Sequence, residues 1–259
     1  MPRLSKLSRS IKGKVALVTG AASGMGRATA HLFADEGAHV AVIDLDLATV
    51  NAVVAEITAA GGSAQGWALD VSDAARRQIV VEEIVQRWSG LDILVNNAGI
   101  VFESKLEDPD FDQHWARTFA VVITAQVQLV RTCLPHLTQS GAGRIVNIAS
   151  TEALGATKGI SAYTASKTGI IGLTRSLAVE LANRGITVNC ICPGAVNTGM
   201  TSNITDEHKH EFARRRVALK RYAEPEEIAQ MTLSLVLPAA SYLTGVAIPV
   251  DGGLTIKNA

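Results

Sequence analysis

Seven short apolar runs rich in Val and Ile recur along the chain, separated by stretches of helical length, and no other feature restricts the fold as much. The runs cover 15–19, 39–43, 64–69, 93–96, 144–149, 187–191 and 246–250. They are apolar throughout and do not alternate with polar residues, as befits strands covered on both faces of a parallel sheet. The intervening stretches, 25–36, 47–60, 73–88, 111–137, 162–183 and 224–235, are each long enough for a helix. Such alternation predicts an α/β fold, a doubly wound parallel sheet of about seven strands flanked by helices and joined by right-handed crossovers. A chain of 259 residues suits one such domain, and no linker divides it. We expect residues 1–12 to form an N-terminal tail and residues 13–259 the domain. Within it, the charged segment 199–222 breaks the strand–helix rhythm after a strand end, where ligands bind in open α/β sheets, and is expected to be a lid.

Lys plus Arg and Asp plus Glu both number 24, so the formal net charge is zero. Nucleic-acid and membrane-surface proteins usually carry a basic excess, and neither partner is expected here. The tail holds Arg3, Lys6, Arg9 and Lys12 but no apolar stretch before Val15, unlike a secretory signal. No apolar run approaches the ~18 residues that span a bilayer. Cys133, Cys190 and Cys192 are odd in number and form no C-x-x-C pair. They read as packed free thiols in a reducing, cytoplasmic setting. His208 and His210 stand two apart, which turns them away from each other on a helix, so no metal site is expected.

The first run leads into Thr19-Gly20-Ala21-Ala22-Ser23-Gly24-Met25-Gly26 and then a helical pattern. Glycines let the chain turn tightly and bring backbone N–H groups against a pyrophosphate beside a positive helix N-terminus. Asp44 closes the second run, where a carboxylate can accept from both hydroxyls of an adenosine ribose and repel a 2′-phosphate. The same position also suits a cap for a helix starting at Leu47. Neither Leu45 nor Ser23 offers a cation to a 2′-phosphate, so NAD(H) is expected over NADP(H).

These features, with three further motifs, resemble the short-chain dehydrogenase/reductase family from about Gly13 to Gly253. The family's T-G-x-x-x-G-x-G matches Thr19 to Gly26, N-N-A-G matches Asn96 to Gly99, Y-x-x-x-K matches Tyr163 to Lys167, and P-G matches Pro193-Gly194. The resemblance implies a Rossmann-type fold and hydride transfer between a secondary alcohol or its ketone and a nicotinamide. It implies that Gly20, Ser23, Gly24, Met25 and Gly26 hold the cofactor, that Asp70 and Val71 border its adenine, and that Asn97, Ala98 and Gly99 shape the cleft. By the same carry-over Pro193, Gly194, Val196 and Thr198 lie at the nicotinamide end, with Tyr163 and Lys167 also on the cofactor. Similar proteins are usually homotetramers.

Tyr163, Lys167 and Ser150 are the expected catalytic residues. A phenol of pKa about 10 is a poor base at neutral pH. Lys167, four residues on along a helix, and a positive nicotinamide ring should both favour phenolate. Ser150 follows the fifth run and stands thirteen residues before Tyr163, as the family's serine does; its hydroxyl should hold the substrate oxygen. Glu152, two residues further, is balanced between lining the substrate cavity and lying exposed on a loop. The sequence departs from the family at one place: the helix that normally supplies an asparagine to a water-mediated proton relay carries Val122. Thr118 and Gln126, one turn either side, are the candidate replacements. NAD preference points to alcohol oxidation as the cellular direction. The rival within the class is 3-oxoacyl-thioester reduction, which usually accompanies NADPH and so conflicts with Asp44. From another class, Val122 alone would suit a non-catalytic dinucleotide-binding protein.

Overall fold

The computed structural model describes residues 6–257. One sheet runs through it in the order β3-β2-β1-β4-β5-β6-β7, with every neighbouring pair parallel. Its strands are β1 (Val15–Thr19), β2 (His39–Asp44), β3 (Ser63–Ala68), β4 (Ile93–Asn96), β5 (Arg144–Ile148), β6 (Thr187–Pro193) and β7 (Ala247–Val250). The helices are α1 (Gly24–Asp35), α2 (Leu47–Ala59), α3 (Ala74–Trp88), α4 (Phe111–Phe119), α5 (Ala125–Gln139), α6 (Ser161–Leu181), α7 (Asp206–Arg216) and α8 (Pro225–Val236). The strand order reverses between β1 and β4, so the loops leaving their carboxyl ends part and open a crevice.

Successive strand residues point to opposite faces, and the two cores follow that period of two. Ala16, Val18, Val40, Val42 and Val95 pack with Phe33, Ile57 and Ile228 from α1, α2 and α8. Leu17, Ala41, Ile43, Leu94 and Ile145 pack on the other face with Ile84, Leu129, Leu137 and Leu181 from α3, α5 and α6. Strand ends shift by one or two residues from the sequence expectation. β6, for instance, continues to Pro193 because Cys192 and Pro193 still pair with Pro249 and Val250.

The helix expected over 111–137 is present over Phe111–Gln139 but is not α-helical throughout. Between α4 and α5 the chain makes a π-helical segment, Ala120–Thr124, in which the Ala125 N–H reaches back to the Ala120 carbonyl. No side-chain hydrogen bond holds it. Val122 is fully buried against Ile170, Ile171, Cys190 and Cys192, and Ile123 fits against Gly169, where a Cβ would come 2.7 Å from Ile123 Cδ1. Apolar packing on α6 therefore holds this segment. An 18-residue window within the 111–139 stretch has mean hydropathy 1.3, enough by length and composition to cross a bilayer. Its apolar residues instead cover the sheet.

Residues 1–5 of the expected tail lie outside the described residues. Beyond them Ile11 is buried in the core, and the Ser8 carbonyl accepts from the Ala239 N–H at 2.9 Å, so packing begins inside the expected tail. The expected lid contains a short turn, Gly199–Thr201, and α7. Only Ala213 of α7 is buried. Lys257 Nζ donates to the carbonyls of Arg214 and Arg215 at 3.3 and 2.7 Å, which caps that helix end and ties it to the C-terminal segment.

Candidate active site

At the carboxyl end of β1 the chain turns through Gly20, with φ +64, and enters α1 at Gly24. Two positions of this turn have no room for a side chain. A Cβ on Gly20 would lie 2.8 Å from Asn97 Nδ2, and one on Gly26 would lie 2.0 Å from the Gly20 carbonyl oxygen. Asn97 fastens the turn from the β4 side, its Nδ2 donating to the carbonyls of Thr19 and Gly20 at 2.8 and 3.1 Å. The backbone N–H groups of Asn97 and Ala98 both donate to Thr19 Oγ1 at 3.0 Å. Ser23 caps α1 without a side-chain bond and is exposed. A cavity of 960 Å³ opens between Gly24 and Arg27 of α1 and Thr198, Gly199 and Ser202; Met25 does not line it but packs partly buried against the core.

Asp44 braces the same turn: Oδ2 accepts from the Ala22 N–H at 3.0 Å and Oδ1 from the Leu45 N–H at 2.8 Å. The cap of α2 is Asp46, which accepts from the Thr49 N–H, so that alternative role for Asp44 falls away. Each Asp44 oxygen keeps a further lone pair for a ribose hydroxyl. Asp70 is bound by Ser72 and by Arg117 Nη2 at 2.8 Å. Burial raises its carboxyl, but these donors outweigh it and hold it below the usual range. Arg117 was not anticipated; it stands on α4 away from the Phe111–Trp115–Phe119 aromatic face, and nothing local in the sequence links it to Asp70. Val71 is buried, and its carbonyl accepts from Arg77.

Ser150, Tyr163 and Lys167 meet at the carboxyl end of β5. The Ser150 Oγ accepts from the Glu152 N–H at 3.1 Å, which leaves its proton free to be donated elsewhere. Tyr163 lies on the first turn of α6, half-buried. Burial pushes its phenol up to about 12; the Ser150 hydroxyl opposes that rise and the Glu152 charge adds to it. Lys167 is buried, with Nζ 2.7 Å from the Ile148 carbonyl and 5.4 Å from the centre of the Tyr163 ring. Burial pulls its ammonium down to about 8. The lowering of the Tyr163 phenol expected from Lys167 is therefore absent in this arrangement, where burial dominates. A Cβ on Gly99 would stand 3.6 Å from Lys167 Nζ, so the Asn97–Gly99 turn faces the lysine.

The residues after β6 close the ring. Gly194 lies against Asp251, where a Cβ would come 2.7 Å from the Asp251 Cα. Asp251, also unanticipated, ties the C-terminal turn by accepting from the Gly253 and Thr255 N–H groups. Val196 turns its side chain into the core, which leaves only its backbone for a ligand. Thr198 Cγ2 stands 3.1 Å from the Cβ position of Gly24, so the residue before the 199–222 segment touches the glycine turn. Beneath the site, Asn96 Nδ2 donates to Asn147 Oδ1 at 2.9 Å and Asn147 Nδ2 to Thr174 Oγ1 at 3.0 Å, a buried polar chain through β4, β5 and α6. The glycine turn, the acid beside it and a cleft running to Lys167 fit a nicotinamide dinucleotide.

Comparison with known proteins agrees with this geometry. A family model described as enoyl-(acyl carrier protein) reductase matches residues 20–255. The 3-oxoacyl-[acyl-carrier-protein] reductase of Thermotoga maritima is 38% identical over 95% of this chain and 99% of its own length. The meso-2,3-butanediol dehydrogenase of Serratia marcescens is 37% identical over 95% of this chain and 96% of its own. A Beutenbergia cavernae structure, described as a candidate NAD(P)-dependent gluconate 5-dehydrogenase with NADP at low occupancy, superposes with TM-score 0.90 at 37% identity, covering 96% of this chain and 99% of that one. By motif, fold and similarity along nearly its whole length, this chain belongs to the short-chain dehydrogenase/reductase family of oxidoreductases.

Proposed function

We propose that the chain is an NAD(H)-dependent dehydrogenase/reductase acting on a secondary alcohol and its ketone, with Tyr163, Lys167 and Ser150 as its catalytic residues. The observation that carries this is the buried Lys167, held 2.7 Å from the Ile148 carbonyl two residues before Ser150 and standing 5.4 Å from the centre of the Tyr163 ring. When bound, the oxidised dinucleotide supplies the hydride acceptor and a positive ring. Ser150, its oxygen already engaged by the Glu152 N–H, donates to the substrate oxygen and holds it at the phenol. Tyr163 takes the hydroxyl proton during oxidation and returns it during reduction. Lys167 holds a positive charge beneath the phenol and is placed to bind the nicotinamide ribose. With the phenol raised to about 12, the protein alone keeps Tyr163 protonated at neutral pH, ready to donate; a positive charge in the cleft is needed before it serves as a base.

The Asp44 carboxylate, with no cation at Leu45 or Ser23, supports NAD(H) over NADP(H). The NADP-bound relative makes this a point to test directly. The thiols of Cys133, Cys190 and Cys192 are buried and free, which suits a cytoplasmic protein. Exposed Trp115 on α4, Val179 on α6 and Tyr242 before β7 suit a homotetramer assembled through the helices over 111–137 and 162–181 and the C-terminal region. The second reading, 3-oxoacyl-thioester reduction, is favoured by the Thermotoga maritima relative. Initial rates with NAD⁺ and NADP⁺ against a panel of secondary alcohols, and with NADH and NADPH against a 3-oxoacyl thioester, decide between them. The proposal expects NAD⁺ with an alcohol to be the fastest pair. Preference for NADPH and thioester would overturn it.

A further inference from the structure

Glu152 follows Ser150 by two residues, in the single 3₁₀ turn Thr151–Ala153 that leaves β5. Its side chain is fixed from two directions. Oε1 accepts from Thr157 Oγ1 at 2.8 Å, and Oε2 from Thr164 Oγ1 at 3.3 Å. Thr164 is the neighbour of Tyr163 on α6, so the carboxylate bridges the serine turn and the tyrosine helix. It is half-buried. Among the described residues no lysine, arginine or histidine forms an ion pair with it. Its backbone N–H donates to the Ser150 Oγ at 3.1 Å and its carboxylate accepts from the residue next to Tyr163, so it flanks both groups assigned to the reacting oxygen.

A carboxylate only accepts, and two hydroxyl donors leave each of its oxygens a second lone pair. A half-buried charge without a cation is costly unless donors fill those positions. We propose that Glu152 is a specificity-determining residue that accepts a hydrogen bond from a second substrate hydroxyl, on the carbon adjacent to the reacting one, so that the substrate class is a vicinal diol or polyol. This rests on the assignment of Ser150 and Tyr163 to the reacting hydroxyl. A 3-oxoacyl thioester presents only carbonyl acceptors near its reacting carbon, which would set lone pairs against the carboxylate. An anionic substrate arm would be repelled as well.

The experiment compares 2,3-butanediol with 2-butanol in the wild type, Glu152→Gln and Tyr163→Phe. Glu152→Gln keeps size and can still accept from one threonine, but it loses the charge. We expect the wild type to prefer the diol, and the diol-to-alcohol ratio of kcat/KM to fall about 10- to 100-fold in Glu152→Gln, the size of one charged hydrogen bond, mostly through KM. The pH midpoint of diol oxidation should move downwards, since a negative charge beside the phenol is removed. An unchanged ratio, with both substrates slowed alike, makes Glu152 a brace for its loop and overturns the proposal, as does a wild type indifferent to the second hydroxyl. Tyr163→Phe tests the underlying assignment separately. If it retains activity on both alcohols, the catalytic reading fails whatever Glu152 does.

Discussion

Lys167 carries a cost that its function requires. Its ammonium is buried and its folded pKa lies at about 8, against 10.5 for an ordinary lysine. A depressed value means the folded state resists the proton that the unfolded chain binds freely. The penalty is complete below pH 8, shrinks between 8 and 10.5, and is gone above that. Its full size is about 3 kcal/mol. Lys167→Met should remove it while leaving the Ile148 carbonyl without its donor, a loss of about 1 kcal/mol. We therefore expect Lys167→Met to be inactive yet more stable by about 1–2 kcal/mol in urea unfolding at pH 7. That advantage should disappear near pH 10.5. A variant less stable than the parent at pH 7 would mean that the lysine contributes more by its contacts than it costs by its charge.

At the scale of elements, the π-helical segment between α4 and α5 separates what the sequence discloses from what it hides. Continuous apolar runs disclose the strands because burial on both faces leaves no polar position within them. The glycine turn is legible because a Cβ at Gly26 has nowhere to go. Asp44 and the Tyr163–Lys167 spacing are legible for the same kind of reason, since each is a local pattern. The π-helical segment is not, because Ala120–Thr124 looks like ordinary helix and is packed by Gly169 and Ile170 of α6, far along the chain. Arg117 with Asp70, and Gly194 with Asp251, are pairings between distant segments and are equally invisible.

The same segment bears on the proton route we propose. Val122 is fully enclosed by apolar groups and thiols, so it offers no polar group at the position where the family resemblance led us to expect asparagine. Gln126, one turn on, is buried with both amide atoms unpartnered among the described residues and keeps the hydrogen-bonding capacity a relay needs. We expect Val122→Asn to lower stability by about 1–3 kcal/mol, as an amide buried among apolar groups does, and to change turnover by less than about threefold. A sharp gain in turnover across the pH range would mean that valine blocks a route the enzyme needs. Thermal unfolding and steady-state rates on the same preparations read both effects.

The whole molecule gathers four strand ends at one crevice. β1 brings the glycine turn, β4 the Asn97–Gly99 turn, β5 Ser150, and β6 the Pro193–Thr198 segment. The sheet and the buried Asn96–Asn147–Thr174 chain hold that gathering in place. In the reaction we propose, hydride leaves a carbinol carbon for the nicotinamide while Tyr163 handles the proton. The most direct measurement uses 2,3-butanediol deuterated at its carbinol carbons, with NAD⁺ and the purified protein, and the mass of the cofactor produced. The account predicts reduced cofactor carrying a single deuterium from the wild type and none from Tyr163→Phe. Cofactor that binds but never acquires the label, or a Tyr163→Phe enzyme that transfers it as fast as the wild type, would contradict it.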